Sequence, residues 1–222
     1  MSSFRVNLKP PVTNSLIGWW KFNEGLGTIA LDSSGYGNNG TLIGSPIWVS
    51  GLTRGKSLQF NGSNYVNIPF GKNFTPNAMT ISSWFNISSF SSVNPRIIAN
   101  DHTDSDGKGF QLMINNGGTN GFFDVGCSGG TGTASWTHTI SLNTWYHYVG
   151  TYNGNSVVAY INGASVGSGS TSGQLIAATN NFSIGYNPSY GGDYVTGTIN
   201  NIRLYNRALS QNEILILYNS FS

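Results

Sequence analysis

Apolar and polar residues alternate along most of this chain with a period of two, the spacing of strands that bury one face. Met79, Ile81, Ser83, Phe85 and Ile87 alternate against Thr80, Ser82, Trp84 and Asn86, which predicts a strand. Leu16 to Phe22, Arg96 to Asn100, Gly109 to Ile114 and Phe182 to Tyr186 are further strand candidates. Lys56 to Phe60 and Tyr65 to Ile68 read as two strands around a tight turn at Asn61-Gly62. From Trp145 the run TWYHYVGTY, Asn153-Gly154, SVVAY, Asn162-Gly163, ASVG predicts a meander, because Asn-Gly tolerates the positive φ of a hairpin turn. Residues 1–14, with two prolines and no apolar core, read as an extended arm or linker.

The period changes near the C-terminus. Ile202 and Leu204 share one strand face, with Arg203 and Tyr205 on the other, and Ile199 is out of phase with Ile202. A bulge or register change near Asn200 and Asn201 follows. Ser210-Gln-Asn-Glu213 fits a capping box, and Ile214, Leu217 and Tyr218 lie at i, i+3 and i+4. A helix of about two turns is marginal alone, so it must dock on a sheet. About a dozen short strands and one C-terminal helix predict an all-β, two-sheet jelly-roll sandwich, with residues 15–222 in one domain and no fixed-period repeat.

The segment GTINNIRLYNRALSQNEI closely resembles the closing segment of laminin-G-like domains of the concanavalin A-like lectin/glucanase superfamily, G-x-I-D-D-x-R-x-Y-N-R-A-L-S-x-x-E-I. FNEG with LDSSGYGNNGTL, GKSLQFNGSNYVNIP, and TWYHYVGTY with YING resemble other family segments, so the likeness runs from Leu16 to Tyr218. It implies the same jelly roll, and in some members a structural Ca²⁺ near the position of Asp32. Where the family has two acids this chain has Asn200 and Asn201, which removes two charged ligands.

Composition narrows the function. Charged residues make up 8% of the chain against roughly 25% in an average domain, and aromatics reach 13%, so the chain is folded and loop-rich rather than disordered. The net charge of +2 comes from scattered basic residues, which gives no footprint for nucleic acid or an anionic membrane. No apolar run approaches the ~18 residues of a spanning helix. The single Cys127 excludes an intrachain disulfide. The first residues do not form a signal peptide, so the expectation is a module of a longer secreted protein or a virion component released by lysis, placed outside the cell or on a cell or virion surface.

The resemblance also raises glucanase chemistry, which needs paired carboxylates. The chain has only Glu24, in the opening loop, and Glu213, in the capping box, and neither alternates with a second acid on a strand. His147 lies within a strand and reads as a sheet residue rather than a base. The expectation is therefore a protein that is not an enzyme. Asp101, Asp104 and Asp106 crowd a glycine-bearing loop, the hard oxygen donors that Ca²⁺ takes. They and Asp32 are the candidate metal ligands. Tyr186, Tyr190, Asp193 and Tyr194 in GYNPSYGGDYVTG, together with Trp136 and His138, are the candidate sugar contacts, since aromatic faces stack on sugar rings and carboxylates accept from hydroxyls. Two functions follow from different classes. One is a glycan-binding or adhesion module; the other is a structural surface or virion protein whose partners are other proteins.

Overall fold

The computed structural model describes residues 14–52, 55–70, 74–92, 94–100 and 107–220. In chain order the first strands are β1 (Leu16–Trp20), β2 (Ile29–Ala30), β3 (Gly40–Ile43), β4 (Ile47–Ser50), β5 (Lys56–Asn61) and β6 (Tyr65–Ile68). The middle of the chain forms β7 (Met79–Ser89), β8 (Arg96–Ala99), β9 (Phe110–Ile114), β10 (Asn120–Cys127) and β11 (Gly130–Thr137). The remainder forms β12 (Trp145–Tyr152), β13 (Ser156–Ile161), β14 (Ala164–Ser170), β15 (Phe182–Ile184), β16 (Thr196–Tyr205) and the helix α1 (Gln211–Asn219). The chain breaks into more and shorter strands than the dozen read from its pattern.

Two antiparallel sheets face each other. Sheet A runs β14-β13-β12-β7-β16-β5-β4, with β1 also pairing to β16, and sheet B runs β11-β10-β9-β8-β15-β6-β3-β2. The alternation explains the layering. Ile81, Phe85 and Leu204 of sheet A meet Ile98, Leu112 and Phe123 of sheet B in one apolar cluster. Each such side chain contributes about 1.5–3 kcal/mol on burial. Along one flank β14 and β11 nearly touch: a Cβ on Gly167 or Gly169 would lie 2.0 Å from the carbonyl oxygen of Ser135 or Thr133.

One expected hairpin is absent. β5 pairs with β16 and β4, whereas β6 pairs with β15 and β3, so the Asn61-Gly62 turn carries the chain from one sheet to the other. Leu58 and Phe60 enter the core from sheet A, and Val66 and Ile68 enter it from sheet B. Asn61 Oδ1 accepts from the Ser63 N–H at 3.0 Å and Asn64 Oδ1 from the Asn61 N–H at 3.1 Å, which holds the corner. The Asn162-Gly163 turn does have both residues at positive φ, 51° and 79°, between the paired β13 and β14.

The bulge lies where the phase break placed it. Register shifts between Asn200 and Arg203, Asn201 sits at φ 50°, and both Ile199 and Ile202 thereby reach the core. After it the chain turns into α1, whose N-cap Ser210 accepts from the Glu213 N–H while Glu213 reaches back to the Ser210 N–H at 2.8 Å. Arg207 binds the same carboxylate at 2.6 Å, and that bond with the cap holds the Glu213 pKa down at about 2.

The helix docks on the outer face of sheet A. Ile214 and Leu217 join Leu16, Val149, Tyr160 and Tyr205 in a second apolar cluster. Beside it Trp84, His147 and Tyr218 form a triangle of rings, with Trp84 5.0 Å from His147 and 5.6 Å from Tyr218, and His147 6.2 Å from Tyr218. His147 Nε2 lies 2.8 Å from Ser82 Oγ, and burial, with Arg203 adding to it, holds the imidazole down at about 3. It is a neutral sheet residue at physiological pH. No helix among the described residues is long and apolar enough to cross a membrane.

Candidate functional site

Among the described residues the one α-helix lies on sheet A, and none lies on the outer face of sheet B. On β8, β9 and β10 the outward positions are Arg96, Gln111 and Met113, and Phe122 and Asp124. Register places Gln111 opposite Asp124 and Met113 opposite both Phe122 and Arg96. Arg96 Nε donates to Gln111 Oε1 at 2.6 Å, and Gln111 Nε2 donates to Asp124 Oδ2 at 2.8 Å. The row ends on Asp124 Oδ1, which is buried and has no hydrogen-bond partner, although the residue is only 5% exposed. A carboxylate oxygen in that state costs free energy until a donor arrives. Asp124 lines a groove of about 390 Å³ whose walls also include Asn94, Met113, Asn115, Phe122 and Thr133.

At its other end the row meets the 186–194 loop. Asp193 Oδ2 lies 3.4 Å from Arg96 Nη1 and accepts from Asn187 Nδ2 at 3.2 Å, while Oδ1 accepts from Ser92 Oγ at 3.2 Å. The backbone helps, since the Arg96 N–H donates to the Asp193 carbonyl at 3.1 Å. Tyr194 therefore stands beside Tyr186, ring centroids 4.8 Å apart, and Tyr186 stacks on Tyr65 of β6 at 4.4 Å. All three rings are half-buried, and burial with the neighbouring phenols raises the Tyr186 pKa, so its hydroxyl remains a donor. Tyr190 lies outside this stack at the loop tip, 61% exposed.

The other expected contacts fall elsewhere. Trp136 points inward from β11, is 2% exposed, and donates its indole N–H to the Tyr148 hydroxyl at 2.7 Å. It is a core residue, and its ring offers no face to a ligand. His138 is half-buried just past β11 and edge-on to Tyr146 at 5.9 Å, and no ring contact among the described residues joins it to Tyr65, Tyr186 or Tyr194.

Asp32 is a loop clasp. Its Oδ1 accepts from the Trp19 and Ser34 N–H groups, and its Oδ2 from Ser34 Oγ and the Asn38 N–H, at 2.8–2.9 Å. A cation held by either oxygen would compete with the two hydrogen bonds that oxygen already accepts. The asparagines in place of the family acids are also engaged: Asn201 Oδ1 accepts from Trp19 Nε1 at 2.7 Å, and Asn200 Nδ2 donates to the Lys56 carbonyl at 2.7 Å. Glu24 uses one oxygen on the Leu31 N–H, and its other oxygen is buried without a partner. No group of three His, Cys, Asp or Glu side chains that could hold a metal forms among the described residues. Asp101, Asp104 and Asp106 lie outside the described residues.

Arg96, Gln111, Phe122, Asp124 and Tyr65 were not among the expected site residues. Their signal was a polar residue alternating with apolar ones, Gln111 between Phe110 and Leu112 and Asp124 between Phe123 and Val125.

Comparison with known proteins follows this geometry. A laminin-G family model, described as the concanavalin A-like lectin/glucanases superfamily, matches residues 60–215. Domain 4 of AbnA, a GH43 extracellular arabinanase from Geobacillus stearothermophilus solved with arabinotriose, superposes with a TM-score of 0.71 at 19% identity, covering 92% of this chain and 98% of that one. The receptor binding domain of the botulinum neurotoxin C/D mosaic serotype gives a TM-score of 0.71 at 18% identity over 94% of this chain and 52% of that one. The binding domain of Paraclostridial Mosquitocidal Protein 1 gives 0.66 at 17% identity over 94% and 53%. This chain thus spans about half the length of those toxin domains, and at these identities the likeness is one of fold. No curated protein sequence matches the chain.

Proposed function

The chain belongs to the concanavalin A-like lectin/glucanases superfamily, as a laminin-G-like member, and we propose that it is a non-catalytic saccharide-binding module whose ligand lies along the outer face of sheet B. The observation that carries this reading is Asp124, a groove-lining residue whose Oδ1 is buried without a donor. A sugar hydroxyl would supply that donor. Met113 and Phe122 offer apolar surface to the C–H face of a ring, and the Tyr65, Tyr186 and Tyr194 group extends the same surface toward the loop. Asp124 and Asp193 outnumber Arg96, so the face favours a neutral saccharide over an acidic one.

The absence of catalysis rests on how the acids are used. Asp193 is held by Arg96, Ser92 and Asn187, Glu213 by the helix cap, and Asp124 by Gln111, so among the described residues none stands opposite a second free carboxylate. The relatives support the reading as analogy: one was solved with arabinotriose, another botulinum binding domain with SialylT. An extracellular place fits the arabinanase relative.

A glycan array with the wild type, Asp124→Asn and Tyr186→Ala tests the proposal. The wild type should bind a discrete set of neutral glycans, and both variants should lose most of that binding. Hydrolysis of any bound glycan that stops in Asp124→Asn would replace the binding module with an enzyme. The second reading, assembly with other proteins, is favoured by Leu26, Leu31 and Ile47, which are 78%, 51% and 57% exposed. A blank array with self-association on a sizing column would support it.

A further inference from the structure

A second pocket lies on sheet A, and its chemistry is the opposite of the groove's. Trp19 is a half-buried outward residue of β1, paired in register with Arg203 of β16. Lys21 Nζ lies 4.1 Å from the Trp19 ring centroid and the Arg203 guanidinium carbon 4.8 Å from it. Two cations therefore sit no more than about 9 Å apart across one indole. A pocket of about 220 Å³ opens beside them, lined by Trp19, Lys21, Asn23, Lys56, Asn200 and Asn201, with Gly55. Its lining holds two ammonium groups and no carboxylate.

Two arginines elsewhere in the molecule show the contrast. Arg96 is paired with Asp193 and Arg207 with Glu213, whereas Lys21 and Lys56 make no ion pair among the described residues. The asparagines are fixed, not idle. Asn201 gives its oxygen to the Trp19 indole N–H, which leaves its amide N–H groups for the pocket side. Asn201 also holds a positive φ of 50°, a conformation that costs a non-glycine residue free energy and orients this amide. Ammonium groups and amide donors converging on one pocket, with repulsion between the cations around it, are relieved by an anion.

We infer that this pocket binds an oxyanion, a carboxylate or sulfate group, held by Lys21, Lys56 and the Asn201 amide beside Trp19. The ligand chemistry has two sources, a free inorganic anion or an acidic sugar, and the experiment separates them. The site stands on sheet A and does not depend on the saccharide face proposed for sheet B.

The test is an amide and indole NMR titration of the full chain at constant ionic strength with sodium sulfate, sodium glucuronate and, as a neutral control, glucose. Sulfate and glucuronate should both shift the Trp19 indole and Asn201 side-chain signals saturably, and glucose should leave them in place. In Lys21→Gln/Lys56→Gln, two substitutions outside the core, the dissociation constants should rise about tenfold or more. In Asp124→Asn they should stay at the wild-type value, so a failure of the sheet B reading leaves this one intact. Sulfate binding without glucuronate binding keeps the oxyanion site and assigns it to an inorganic anion. The inference is overturned if neither oxyanion gives a saturable shift, or if the double variant, melting like the wild type, binds as tightly as the wild type.

Discussion

The outer faces of the two sheets arise from the same alternation, yet among the described residues only sheet A carries the helix. On sheet A the outward residues under α1 are apolar or aromatic, with Val149, Tyr160 and Tyr205 against Ile214 and Leu217. Trp84 and His147 extend this cover by stacking with Tyr218. On sheet B they are Arg96, Gln111 and Asp124, tied into a row that stops at an oxygen without a partner. Sheet A too keeps buried polar atoms without a hydrogen-bond partner, His147 Nδ1 and the Tyr205 hydroxyl, and both lie at the contact with the helix. On sheet B the unpartnered Asp124 Oδ1 belongs instead to a residue that lines a groove. The proposed function assigns the first set to maintaining the molecule and the second to binding.

Substitutions should divide along that line. Ile214→Ala/Leu217→Ala empties the contact between helix and sheet A and should cost about 5 kcal/mol or more in urea unfolding, since each buried truncation costs about 2–5 kcal/mol. Saccharide binding measured well below the lowered melting temperature should be unchanged. If the variant unfolds like the wild type, α1 is an appendage and sheet A is not a covered face.

Acid should act next, and again through sheet A. His147 is held at about 3 when folded against about 6.5 unfolded, so the unfolded chain takes up the proton first as pH falls. The stability this group contributes is complete above 6.5 and declines below it by up to about 1.4 kcal/mol per pH unit. Glu213, lowered from 4.5 to about 2, adds a further loss below 4.5. His147→Gln should flatten the melting curve's pH dependence between 6.5 and 4.5, and an unaltered slope would mean that the imidazole is not buried neutral.

A smaller effect concerns the loop beside Trp19. Asp32→Ala leaves four donors without their acceptor and should cost about 1–3 kcal/mol. The loss should be equal in EDTA and in millimolar Ca²⁺; a loss confined to Ca²⁺ would place a cation there. The smallest change in stability is expected on sheet B. Asp124→Asn keeps an acceptor for Gln111 and removes a buried charge, so its melting temperature should match or exceed the wild type's, in the way that active sites trade stability for function.

Much of the fold could be read from local pattern. The capping box at Ser210, the phase break before Ile202 and the alternation in β7 each depend on residues a few positions apart, and each appears in the structure. The corner at Asn61-Gly62 could not be distinguished from a hairpin, because either turn joins two alternating runs. The row on sheet B was hidden for another reason: Arg96 and Gln111 are 15 residues apart, and Gln111 and Asp124 are 13. Only strand register brings them together. Tyr186, Asp193 and Tyr194 were legible because one loop carries them, whereas Trp136 carries the same aromatic signal and proves to be core.

The most direct measurement compares Asp124→Asn with Lys21→Gln/Lys56→Gln against the neutral glycan bound best by the wild type on the array, with each variant's melting temperature recorded alongside. A saccharide face on sheet B predicts that Asp124→Asn loses affinity by about tenfold or more, the value of one charge-assisted hydrogen bond, at an undiminished melting temperature. The lysine variant should bind as the wild type does. Equal affinity in Asp124→Asn, or a loss seen only in the lysine variant, would contradict the assignment of sheet B as the binding face.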